Sequence, residues 1–111
     1  MPITSRDKNQ NDAAASILRH AIHRGLVDVR LYYYLVDVLI KQGLTEHSSL
    51  YYQGAIDAVN ASIRVQPEFA YSYFQRARSE LMAGHLQNAI VDFEHVRNLN
   101  PIRQPYPISW P

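Results

Sequence analysis

A spacing of 34 residues relates two stretches of this chain. Ala55-Ile56 recurs as Ala89-Ile90, Val59 as Phe93, Val65 as Leu99 and Pro67 as Pro101. A fixed period of this size marks stacked helical units, each of which buries its apolar face only against its neighbours. It predicts an all-α chain before any local propensity is weighed. A scaffold of that kind is a binding surface, and the period does not name what binds.

The 111 residues fit one small domain, and 47% apolar residues suffice for a core. A chain of this size still buries a smaller share of its surface than a larger domain does. Eleven basic residues against ten acidic ones leave a net charge of +1. That balance gives no electrostatic reason to expect nucleic acid or a membrane surface. The absence of cysteine excludes disulfides, thiolate zinc sites and cysteine catalysis. The opening MPITSRDKNQND is polar, so no export signal is expected and a cytoplasmic location is. The longest apolar-rich stretch, Leu31 to Ile40, is about half of a membrane span and is interrupted by Asp37.

Residues 1–11 read as a disordered arm, with Asn11 and Asp12 as N-caps for a first helix. Ala14, Ile17, Leu18, Ala21 and Ile22 form its apolar stripe, and Gly25 can end it. Asp28 can cap a second helix over about 29–42, closed by Gly43, with apolar residues on nearly all sides. Residues 44–48 read as a loop. Ser49 opens a third helix to about Val65, Glu68 a fourth to Ala83, and His85 or Gln87 a fifth to Leu99. Gly84 and Pro101 punctuate the last two. The segment 102–111, with Pro101 before it, is proline-rich and predicts an extended tail.

These residues resemble the tetratricopeptide repeat, a helix-turn-helix unit of 34 residues. Tyr73, Ala77, Gly84, Ala89, Phe93 and Pro101 occupy its pattern positions in the stretch 70–101. A second copy runs over about 29–67, with seven extra residues between Gly43 and Ala55. Seven residues are two helical turns, so they either lengthen the third helix or project as a loop. The first helix matches the second half of a unit. The resemblance therefore covers about 13–101, as two repeats and one half. It implies a right-handed superhelical stack of antiparallel helix pairs, about five helices in all, over a domain 12–101. Phe93 is expected to be buried between helices, so that its loss would cost roughly 3–5 kcal/mol.

In that family the first helix of each unit lines a concave groove. Carried over position by position, the groove residues are Arg30, Tyr33, Asp37 and Ile40, then Tyr71, Phe74, Gln75 and Arg78. Aromatic rings supply contact area at low entropic cost, and Arg grips a carboxylate or a peptide carbonyl. The competing reading is that Tyr33 and Phe74 only pack on a neighbouring helix. Arg76 and Asp92 are expected to face each other as an ion pair within one unit, a contact that fixes geometry more than it adds stability.

Two other constellations read as ordinary surface. His20 and His23 stand at i, i+3, but no zinc-site spacing accompanies them, and no metal or cofactor is expected. Glu46, His47, Ser48 and Ser49 are adjacent in sequence, which is not a catalytic geometry, and no catalytic signature is present. The chain reads as a non-catalytic adaptor that binds a protein or peptide segment in its groove. The alternative is a homo-oligomerising assembly module or a subunit of a larger complex. The tail, with Ile102, Tyr106, Ile108 and Trp110, either folds back over the last helix pair, docks on a neighbouring chain, or is disordered.

Overall fold

The structure, a computed structural model, describes residues 5–25, 28–67 and 69–99. Among them stand five α-helices and no strand: α1 (Ser5–His23), α2 (Val29–Glu46), α3 (Ser49–Val65), α4 (Ala70–Ala83) and α5 (Leu86–Leu99). Each helix packs on the next in order, and α2 also touches α4. That extra contact brings together two helices separated by a whole intervening helix, and it builds the site described below. The proline-rich tail 102–111, Pro101 and Glu68 lie outside the described residues.

The helix boundaries follow chemistry visible in the chain. Asp28 caps α2, its carboxylate accepting the Arg30 amide at 2.9 Å. Ser48 caps α3 through the Leu50 amide. Gly84 ends α4 at φ 83°, a left-handed conformation that glycine adopts without a Cβ penalty.

Three expectations are corrected. Residues 1–11 are not wholly a disordered arm, because α1 is already helical from Ser5. Asp12 is no cap. It lies inside the helix and accepts hydrogen bonds from Lys8 at 3.0 Å and from Gln42 of α2 at 2.8 Å. Gly43 does not end α2, which runs one turn further to Glu46 and closes on His47 in the left-handed conformation. Gly43 serves a close approach instead: a Cβ there would stand 2.5 Å from Cε1 of the buried Tyr52 ring. The extra residues of this unit thus lengthen both helices around a two-residue turn, His47-Ser48, rather than forming a projecting loop.

Phe93 is a further correction. It is 36% exposed, and its ring meets Phe74 at 6.0 Å between centroids. Among the described helices α5 packs on α4 alone, so no further helix closes over Phe93. The inward positions of α5 are Ala89 and Asp92, both buried.

The core lies among the first three helices. Ala15, Leu35, Val36, Leu39, Ile40, Tyr52, Ala55, Ala58 and Val59 form one cluster, with Leu18 and Ile22 of α1 against it. Burying Val36 or Leu39 contributes about 1.5–3 kcal/mol each. On α1 the inward residue is Ala15, whereas Ile17 is exposed. The α3–α4 boundary has a different character. Ser62, Ser72 and Ser79 are fully buried there with Ala77, and each serine hydroxyl is hydrogen-bonded. Small side chains allow the helices to approach closely. Local bonds, Ser62 to the Val59 carbonyl at 2.7 Å and Ser79 to the Gln75 carbonyl at 2.9 Å, remove the cost of burying a hydroxyl.

Candidate functional site

Tyr33 and Asp37 stand one turn apart on α2, and Tyr71, Phe74, Gln75 and Arg78 recur at i, i+3, i+4 and i+7 on α4. The α2–α4 contact merges the two rows. Arg78 Nη1 donates to Asp37 Oδ1 at 2.8 Å and to Gln75 Oε1 at 3.0 Å. Gln75, itself fully buried, donates through Nε2 to the Tyr71 hydroxyl at 3.4 Å. A single chain of polar contacts therefore runs from Asp37 through Arg78 and Gln75 to Tyr71.

An aromatic row borders it. Tyr33 packs edge-on against Tyr71 at 4.7 Å between centroids and stacks with Phe69 at 6.1 Å. Tyr71 stacks with Phe74 at 6.0 Å, and Phe74 meets Phe93 of α5. Tyr33 is buried, and its hydroxyl shares a 2.9 Å hydrogen bond with Ser72. Burial raises its phenol pKa, against a smaller opposing effect of that hydrogen bond. Tyr33 thus serves as the floor of the row and not as a contact surface, which supports the packing reading for this one residue. Tyr71 and Phe74 are 45% and 41% exposed.

Two of the expected groove positions lie elsewhere. Ile40 is a core residue. Arg30 stays outside the cluster: it forks onto Asp28, with Nη2 to Oδ2 at 2.6 Å, and is largely exposed. This pairing, with the Arg30 amide, lowers the Asp28 carboxyl to about 2. Arg30 thus reinforces the α2 cap, and its proximity in sequence to the capping Asp28 was the signal for it.

Arg76 and Asp92 form the expected pair, in a two-pronged geometry. Nε and Nη2 of Arg76 each reach a different Asp92 oxygen at 2.8 Å, and Nη1 reaches Asn60 of α3 at 3.0 Å. The Arg76 guanidinium also lies 5.3 Å from the Tyr73 ring centroid. Beside it, Tyr73, Arg76, Val91, Asp92, Glu94, His95 and Asn98 line a groove of about 450 Å³. Glu80, which the sequence reading passed over, belongs to this cluster. It is buried, it is hydrogen-bonded to Asp92, and its Oε1 has no hydrogen-bond partner among the described residues. Burial and the Asp92 carboxylate raise its pKa to about 8, partly opposed by Arg76.

Among the described residues no group of three or more His, Cys, Asp or Glu side chains converges as a metal site. No helix there is long and apolar enough to cross a membrane. The Ser48 hydroxyl, next in sequence to His47 and the α2 end Glu46, is engaged in capping α3. Compared with protein-family models, curated proteins and solved structures, the chain matches none of them.

Proposed function

We propose that this chain is a short tetratricopeptide-like stack that works as a non-catalytic adaptor and holds an extended protein segment across the α2–α4 face. The observation that carries the reading is the pairing of exposed Tyr71 and Phe74 rings with the Arg78 guanidinium on one surface. Rings of this kind are rigid, half-buried contact area, and a neighbouring guanidinium fixes the direction of a bound backbone through its carbonyls or a carboxylate. Support also comes from how the surface is held. Tyr33 and Gln75 are buried beneath it and tie its exposed members to two helices, so little ordering is left to be done on binding. The occupant is an unstructured segment that offers one large apolar side chain to the rings and an acceptor group to Arg78.

Selection of a displayed random-peptide library on the full chain tests this. Recovered peptides should share an apolar residue beside an acidic one. Their binding should weaken at least tenfold on Phe74→Ala and on Arg78→Ala, with helicity unchanged. Recovery of peptides whose binding ignores both substitutions would overturn the assignment of the surface. Failure to recover any enriched peptide would overturn the adaptor reading itself.

A further inference from the structure

The outer face of α5 is a continuous apolar stripe at the end of the described stack. Its apolar members Leu86, Ile90 and Phe93 recur at i, i+4 and i+7, and Arg97 follows one turn on. Leu86 is 58% exposed and Ile90 51%, whereas Ala89 and Asp92 face inward and are buried. Ile90, Phe93, Glu94 and Arg97 line a shallow depression of about 230 Å³. No described helix other than α4 touches α5. A stack of repeats keeps its end soluble by a capping face, and among the described residues no further helix covers this stripe.

The chain itself offers an occupant. Residues 100–111 follow directly on Leu99, at the C-terminal end of the stripe, and carry Ile102, Tyr106, Ile108 and Trp110. Tyr106, Ile108 and Trp110 are spaced by two, which puts them on one side of an extended backbone. Pro105, Pro107 and Pro111 alternate with them and favour extended conformations at the residues that precede them. Twelve residues of β-extended chain at about 3.3 Å each reach roughly 40 Å. The fourteen residues of α5 rise about 21 Å, so the segment is long enough to cover the whole stripe. Its single charged residue is Arg103, and the depression carries one charge of each sign, Glu94 and Arg97. Proline restricts the undocked chain and so reduces the entropy lost on docking. A tethered segment also meets its own α5 at an effective concentration on the order of millimolar, which a second copy reaches only in concentrated solution.

We propose that residues 102–111 dock back along α5 of the same chain, seating Tyr106, Ile108 and Trp110 on Leu86, Ile90 and Phe93 and closing the stack. This concerns the outer face of α5 and is independent of peptide binding on the α2–α4 face.

Trp110 is the only tryptophan, so its fluorescence in the full chain reads the docking directly. Expected is a blue-shifted emission, shielded from acrylamide and unchanged on hundredfold dilution. Ile90→Asp, a substitution at an exposed position, should shift the emission to the red and raise quenching several-fold while far-ultraviolet dichroism keeps its helical amplitude. If Ile90→Asp reduces helicity, Leu86→Asp carries the same expectation. Emission of a hydrated indole in the unsubstituted chain would overturn the proposal. So would shielding that ignores these substitutions, which would put the tail elsewhere. Shielding lost on dilution would overturn it in favour of a second copy as the occupant.

Discussion

Arg78 and Asp37 meet across 41 residues of chain, Nη1 to Oδ1 at 2.8 Å, and join α4 directly to α2, with α3 between them in sequence. Each side chain is a little under half exposed, 41% and 44%, which limits what the contact adds. Water screens such pairs to about 0.2–1 kcal/mol. Its larger consequence is directional: the second bond of Arg78, to Gln75, leaves the guanidinium with a defined orientation beside Tyr71 and Phe74.

A double-mutant cycle of Asp37→Asn and Arg78→Gln should therefore give a coupling of about 0.2–1 kcal/mol in thermal or urea unfolding. The coupling should shrink in molar salt, because the charges are solvent-accessible. A salt-independent coupling above about 2 kcal/mol would mean that the α2–α4 face is far more enclosed than the structure has it.

Gly43 should tolerate no side chain. Alanine is favoured over glycine in a helix by about 1 kcal/mol, so Gly43→Ala in the helix interior would stabilise if space allowed. A Cβ would instead stand within 3 Å of three Tyr52 ring atoms, and that ring is part of the core. Overpacking of this kind costs about 1–3 kcal/mol, and we expect a net loss of stability. In a Tyr52→Ala background the sign should invert, since the obstructing ring is gone. Urea midpoints of the four proteins decide it, and a loss that persists without the ring would refute the close-approach explanation.

Ala89 should matter more than Phe93. Ala89 is fully buried against α4, and Ala89→Leu forces apart two helices that have no other described partner on that side. The expected cost is about 1–3 kcal/mol. Phe93→Ala removes a ring that is only partly covered, so its cost should fall below the roughly 3–5 kcal/mol typical of a buried phenylalanine. Melting temperatures that rank the two substitutions the other way would show a different rotation of α5 on α4.

The helices are legible in the sequence because their boundaries are written in local chemistry. Asp28, Gly84 and Pro67 act within a few residues of themselves. Tyr33 and Asp37, like Phe74 and Arg78, stand four apart on their helices, which assigns each pair to one helix face; the pairs lie 41 residues apart, the 34-residue spacing plus the seven extra residues. Features that depend on what lies across a helix interface are not legible locally. Gly43 looks like a helix end, since glycine often is one, and only the Tyr52 ring opposite it shows otherwise. Asp12 looks like a cap until Lys8 and Gln42 are seen to hold it. Phe93 looks like core by analogy with an internal unit, yet α5 ends the described stack. Glu80 gave no signal at all, being one more charged residue on a helix whose inward face cannot be told without α5.

Glu80 predicts a pH dependence with a definite sign. Arg76 is shared by Asp92 through two hydrogen bonds, and Glu80 donates to the same Asp92 when protonated. Ionising Glu80 would place a second carboxylate beside the first, in a buried site with one guanidinium already occupied by Asp92 and Asn60. Burial first, and then Asp92, raise its pKa from 4.5 to about 8. In the unfolded chain Glu80 loses its proton near 4.5, whereas the folded chain retains it to about 8. Between those values folding takes up a proton, so stability falls as pH rises across that window and levels off above it. Burial raises Asp92 as well, but its bonds to Arg76 and Glu80 outweigh that and leave it lowered, so its own contribution is lost only toward acid. Glu80→Gln offers an amide N–H to Asp92 with no proton to take up. The melting temperatures of the two proteins should lie closest near pH 4.5 and separate toward pH 8, with the variant the more stable at the basic end. Because Arg76, Asp92 and the neighbouring His95 are common to both proteins, the difference between the curves isolates Glu80. Parallel curves through the window would mean that Glu80 is ionised in the folded chain and that the cluster carries two carboxylates on one arginine.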